Sequence, residues 1–105
     1  MYTIEQTIQQ CKRILQAHYG ARLKGLVLYG SIARGDADAE SDIDLLVLLD
    51  PPMEYSAELW HVVELLDPTQ LESERLISAK PVASDEYECG GIQLYRNAKQ
   101  EGITL

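Results

Sequence analysis

Positive charge is scarce in this sequence: nine Lys and Arg stand against 17 Asp and Glu, for a formal net charge of −8 over 105 residues. Neutralising a nucleic-acid backbone takes clustered basic side chains, and here they are scattered. That argues against direct nucleic-acid binding and leaves free nucleotide carried with a metal ion open. Cysteine is scarce too. Cys11 and Cys89 lie far apart with no C-x-x-C spacing, so neither a zinc site nor a disulfide framework is indicated, and both are expected to be reduced, partly buried packing residues. No apolar run approaches the roughly 20 residues that cross a bilayer. The opening MYTIEQTIQQ lacks the basic flank and apolar core of a signal peptide. A cytoplasmic protein without membrane contact is expected. Internal repeats, low-complexity tracts and interdomain linkers are missing, which leaves one domain over residues 1–105.

What is present has a mixed pattern. Thr3 followed by Gln6 reads as a capping box, and Ile4, Ile8, Cys11, Ile14, Leu15 and His18 recur at helical spacing until Gly20. LKGLVLY, Leu23 to Tyr29, reads as a short strand ending at Gly30. IDLLVLL, Ile43 to Leu49, is almost continuously apolar, as a central strand covered on both faces would be, and the prolines of DPP end it. A helix is expected from Glu54 to Leu66, closed by Asp67 and Pro68. A weaker strand follows over Glu74 to Ala83, where Pro81 demands an edge or a bulge, and a last helix from Ile92 to Gln100 stops at Gly102. The order helix, strand, strand, helix, strand, helix predicts a small α/β (α+β) fold. The dozen residues between the first two strands allow either a hairpin-like or a crossover connection.

The chemistry concentrates between Tyr29 and Val47, YGSIARGDADAESDIDLLV. Gly30 and Ser31 follow a strand directly, and SIAR can open a short helix whose free N–H groups face an anion. Gly30 removes a Cβ where a phosphate would approach, and Ser31 adds a hydroxyl. The loop is neither a Walker motif nor GxGxxG, and alone it is weak evidence that fits an ordinary helix N-cap better than a phosphate site. Asp42 and Asp44 sit two apart on a strand, so they share a face at about 6.5–7 Å between Cα atoms. Like charges so placed repel unless a cation lies between them. The spacing suits a pair of divalent ions about 3.5–4 Å apart, as in nucleotidyl transfer, and magnesium matches the hard oxygen ligands. The competing reading of Asp-x-Asp alone is a solvated strand end.

Together, GSIARG and SDIDLLV resemble the signature of the nucleotidyltransferase superfamily that includes DNA polymerase beta, and most closely its minimal nucleotidyltransferase branch; NAKQEGITL resembles the ending of these short proteins. The resemblance implies a nucleotidyltransferase fold with a small mixed β-sheet packed by helices. It implies that Gly30 and Ser31 contact the phosphates of a nucleoside triphosphate, ATP, and that Asp42 and Asp44 coordinate two Mg²⁺ ions. Arg34 and Gly35 match the motif as well. Arg34 reads either as a structural ion pair or as a phosphate contact, Gly35 as a turn, and Ser41 as a cap leading into the strand beside the nucleotide. Members of the superfamily usually add a third carboxylate from a neighbouring strand. Here Glu74, then Glu72, are the candidates for that catalytic position, with solvated charges at the start of a strand as the plain alternative.

The implied activity is transfer of AMP from ATP to a tyrosine of a HEPN-domain ribonuclease, the chain acting as antitoxin of a two-gene module. The alternatives are a catalytically weak binding antitoxin and, less favoured, transfer to a small hydroxylated molecule. Nucleobase preference and homo-oligomer formation stay open. His18 and His61 read as surface or packing residues, Trp60 as a core residue, and DADAES as a solvated, mobile loop able to close over a nucleotide.

Overall fold

A computed structural model describes residues 1–105. Helix α1, Ile4–Tyr19, begins with the expected capping box: the Gln6 N–H donates to Thr3 Oγ1 at 3.1 Å, and the Thr3 N–H donates to Gln6 Oε1 at 2.9 Å. A 3₁₀ turn, Gly20–Arg22, leads into β1, Leu23–Tyr29. Next come α2 (Gly30–Arg34), β2 (Ile43–Leu49), α3 (Tyr55–Glu72), β3 (Ile77–Ala83), α4 (Ser84–Cys89), α5 (Gln93–Glu101) and β4 (Ile103–Thr104).

The strands form one sheet in the order β3-β2-β1-β4. β1 runs antiparallel to β2 and to β4, so the first connection is hairpin-like. β2 runs parallel to β3, with α3 as the crossover. β2 therefore has a neighbour on each side and helices on both faces, which is why Leu45, Leu46, Val47 and Leu49 are all fully buried. Each such side chain is worth about 1.5–3 kcal/mol of burial. Alternation divides the core. Leu26, Leu28, Ile43, Leu45, Val47 and Leu49 face α1 and α3, where Leu15 and Val62 meet them. Val27, Leu46, Leu48 and Val82 face α4 and α5, where Tyr87 and Ala98 close the opposite side.

Several expectations are corrected. α3 does not stop before Pro68 but runs through it to Glu72. Leu66 and Thr69 are buried on either side of the proline, while Pro68 itself is exposed, so the carbonyl it leaves unbonded faces water. Trp60, expected in the core, is 69% exposed, because the inward positions of α3 belong to Val62, Leu66 and Thr69. Of the two free cysteines only Cys11 is buried; Cys89 is exposed at the end of α4. α4 and β4 lie outside the predicted elements, and β3 starts at Ile77 rather than at Glu74. Pro81 is accommodated because β3 is an edge strand. No helix is long and apolar enough to cross a membrane.

Candidate active site

The site lies where β1 ends beside the start of β2. Tyr29, the last residue of β1, pairs directly with Asp44 in the antiparallel ladder. The chain then turns sharply through Gly30, whose φ of +79° lies in the left-handed region. The turn presses the backbone against the Asp44 carboxyl: a Cβ at Gly30 would collide with Asp44 Oδ2 and lie 3.2 Å from its Cγ. Glycine is required here twice over, by conformation and by space. α2 starts at this residue with no side chain capping its first turn, and half-buried Ser31 is part of that turn. Gly35, at φ +80°, ends the helix.

The acidic loop that follows is exposed but braced. Asp38 Oδ1 accepts the Glu40 N–H at 2.9 Å and the Ser41 hydroxyl at 3.2 Å, and Ser41 Oγ accepts the Asp38 N–H at 3.0 Å. The Glu40 amide, then the Ser41 hydroxyl, hold the Asp38 carboxyl below its usual range. Arg75, which the sequence reading passed over, donates from Nη1 to the carbonyls of Asp38 at 2.7 Å and Ser41 at 2.9 Å. Ser41 thus serves as a turn residue leading into β2. Arg34 pairs with Asp36 at 3.3 Å and with Glu101 of α5 at 3.5 Å, which ties α2 to the last helix.

Asp42 and Asp44 are both half-buried. Burial, then the charge of Asp42, raise the Asp44 carboxyl above its ordinary value, against the pull of Lys80 and Arg34. Beside it the Tyr29 hydroxyl is buried without a hydrogen-bond partner, and burial followed by the Asp44 charge pushes its pKa to about 12. Two carboxylates two apart on one strand face, next to a side-chain-free turn, are the hard oxygen donors that suit a divalent cation together with phosphate oxygens.

Glu74 is not brought to this pair. It is exposed in the α3–β3 connection, lining a small cavity with Tyr2, Thr3, Ile4, Ser73 and Arg75, and Glu72 is the exposed last residue of α3. No group of three His, Cys, Asp or Glu forms that could hold a metal. The neighbouring strand offers Ser78, opposite Asp44, and Lys80 two residues on. Reading that segment for acids alone passes over the lysine. A surface depression of about 650 Å³ lies elsewhere, against α1 and Ile103, so cavity size does not mark the site.

A family model described as nucleotidyltransferase domain matches residues 8–97. The chain belongs to that family. As a nucleotidyltransferase it resembles two Methanocaldococcus jannaschii proteins, each named "Putative protein adenylyltransferase". MJ0604 is 40% identical over 103 residues, covering 96% of either chain, and MJ0141 is 32% identical over 98 residues, covering 87% of this chain and 98% of its own. A solved "putative minimal nucleotidyltransferase" shares its fold, with TM-score 0.61 at 21% identity, covering 99% of this chain and 97% of the other. Nucleotidyltransferases act on nucleoside triphosphates with a divalent metal, so the expected mixed α/β nucleotidyltransferase fold and enzyme class both hold for this chain.

Proposed function

We propose that this nucleotidyltransferase is a Mg²⁺-dependent protein adenylyltransferase that moves AMP from ATP to a tyrosine of a HEPN-domain partner, silencing it as an antitoxin. The observation that carries the reading is the close contact of the Gly30 turn with Asp44, which brings the uncapped start of α2 directly against a carboxylate of the Asp-x-Asp pair. The names of the two archaeal relatives support a protein as acceptor, and the resemblance of residues 29–47 supports the HEPN partner.

In this reading Asp42 and Asp44 hold the metal, Gly30 and the first-turn N–H groups around Ser31 receive the phosphates, and Arg34 stiffens the turn through Asp36 and Glu101. When bound, the divalent ion neutralises charge on the triphosphate. The chain's own part is positioning: the phenolic oxygen of the acceptor attacks the α-phosphorus as its proton passes to solvent, the bond to the bridging oxygen of the β-phosphate breaks, and pyrophosphate leaves. Glu74, exposed before β3, is a candidate base only if the partner or the nucleotide draws its loop inward.

Having two carboxylates where three are usual supports a second reading, a binding antitoxin with little or no catalysis. One experiment separates the two. The protein encoded beside this one is purified after co-expression with the wild type or with the Asp42→Asn, Asp44→Asn double variant, and intact masses are compared. An AMP-sized increment found only with the wild type establishes the transferase; an unmodified partner in stable complex with both versions establishes the binding module.

A further inference from the structure

The chain forms four ion pairs, Arg22–Glu58, Arg34–Asp36, Arg34–Glu101 and Lys99–Glu88, and Lys80 is in none of them. Yet Lys80 is half-buried, on the strand that pairs with the Asp44 strand, two residues beyond the position opposite Asp44. An ammonium with no carboxylate in contact, set on the strand beside the one that bears Asp44, is free to meet an anion.

Its position is fixed by register. In the parallel β2–β3 pair Asp44 lies beside Ser78, Leu46 beside Lys80 and Leu48 beside Val82. Residues two apart share a face, and Leu46, Leu48 and Val82 do lie in one apolar cluster. Lys80 therefore projects from the face that bears Asp44, one strand over and two residues along, roughly 8 Å between Cα atoms from strand geometry. An extended lysine side chain spans that gap, and the Lys80 charge does act on Asp44.

We propose that Lys80 takes the place of a second divalent ion, so that this nucleotidyltransferase works with one metal per nucleotide. The inference rests on the assignment of Asp42 and Asp44 to the metal made above. Charge balance carries it further. Three carboxylates around two divalent ions leave one net positive charge for the triphosphate; two carboxylates, one ammonium and one divalent ion leave the same. Adding a second ion beside Lys80 would leave three, with like charges packed into one cleft. Arg34 does not enter the balance, since Asp36 and Glu101 already match it. The ammonium donates hydrogen bonds to non-bridging phosphate oxygens and takes no part in proton transfer: the acceptor oxygen bonds to the α-phosphorus, its proton goes to solvent, and the bond to the bridging oxygen breaks as pyrophosphate departs.

The test counts metal rather than turnover. Mn²⁺ is titrated into the full chain with an α,β-methylene ATP analogue, bound ions are counted by loss of the free-ion paramagnetic resonance signal, and analogue affinity is read by calorimetry. The wild type is expected to hold one Mn²⁺ per complex and Lys80→Asp two. Lys80→Met, which keeps the apolar stem and so guards against misfolding of the aspartate variant, is expected to bind the analogue about 10- to 100-fold more weakly, as for loss of a charged hydrogen bond. Two ions in the wild type, or unchanged analogue affinity in a folded Lys80→Met, overturns the role of Lys80 and leaves the metal-binding pair standing. Absence of both Mn²⁺ and analogue binding in the wild type removes that pair's assignment as well.

Discussion

Replacing Gly30 by alanine tests the geometry on which the site depends. An L residue at φ +79° costs about 1–2 kcal/mol for its backbone alone. The added Cβ also meets Asp44 on its Oδ2, its Cγ at 3.2 Å and its Cβ at 3.5 Å, and overpacking of this kind typically adds about 1–3 kcal/mol. Gly35 is the internal control, because its φ is +80° and nothing lies within 4 Å of its added Cβ. Gly35→Ala should therefore cost only the backbone share, about 1–2 kcal/mol. In a domain of this size each kcal/mol moves the melting point by about 4–8 °C, so Gly30→Ala is expected to melt roughly 5–20 °C below Gly35→Ala. Thermal and urea denaturation followed by circular dichroism provide the measurement. Repeating Gly30→Ala in an Asp44→Ala background removes Oδ2 and Cγ, and the excess cost should fall away as a coupling of about 1–3 kcal/mol. Equal costs at the two glycines, or additivity in the double variant, would refute the contact as the reason for Gly30.

Asp44 gives a second prediction, with a definite sign. Its folded-state pKa is raised by burial and by Asp42, so the folded chain holds this proton more tightly than the unfolded one; the associated stability is complete below the unfolded value of about 3.9 and is lost as pH rises through the folded value. Asp44→Asn should thus melt above the wild type at pH 7 in chelator and lose that advantage by about pH 3, as urea titrations at the two pH values would show. Added Mg²⁺ should stabilise the wild type alone. Trp60, the sole tryptophan and 69% exposed, should emit as a water-exposed indole in the folded state and shift little on unfolding; Trp60→Ala should change stability by no more than about 0.5 kcal/mol. A blue-shifted folded emission would contradict the outward placement.

Elements governed by local chemistry were legible in the sequence. The Thr3 and Gln6 cap, the continuous apolar run of β2 and the glycine after β1 each have one physical reason that does not depend on distant residues. The antiparallel pairing of β1 with β2 was not legible, because a dozen connecting residues are compatible with either direction. α3 outran its proline because tertiary packing of Leu66 and Thr69 outweighs one lost hydrogen bond, a balance that no local rule contains. Trp60 was misplaced for a related reason: its helix carries apolar residues on both faces, and only the sheet decides which face is inside. α4 is six residues long and β4 two, too short for periodicity to register. At the site, the Gly30–Asp44 neighbourhood was implied by the motif, whereas Lys80 is set near Asp44 by β3 register and Arg75 holds the acidic loop through the Asp38 and Ser41 carbonyls, neither of which a linear reading supplies.

Asp44 is the only charged residue in IDLLVLL. While β1 and β3 flank it, β2 has no free edge. Should β3 detach during folding or local opening, β2 becomes an exposed seven-residue edge with six apolar side chains, the composition that templates intermolecular pairing. A single carboxylate then keeps that edge from stacking on another copy. The residue that destabilises the native state at neutral pH also protects the chain from aggregating, so a more stable Asp44→Asn protein is at the same time a less soluble one on refolding from high concentration.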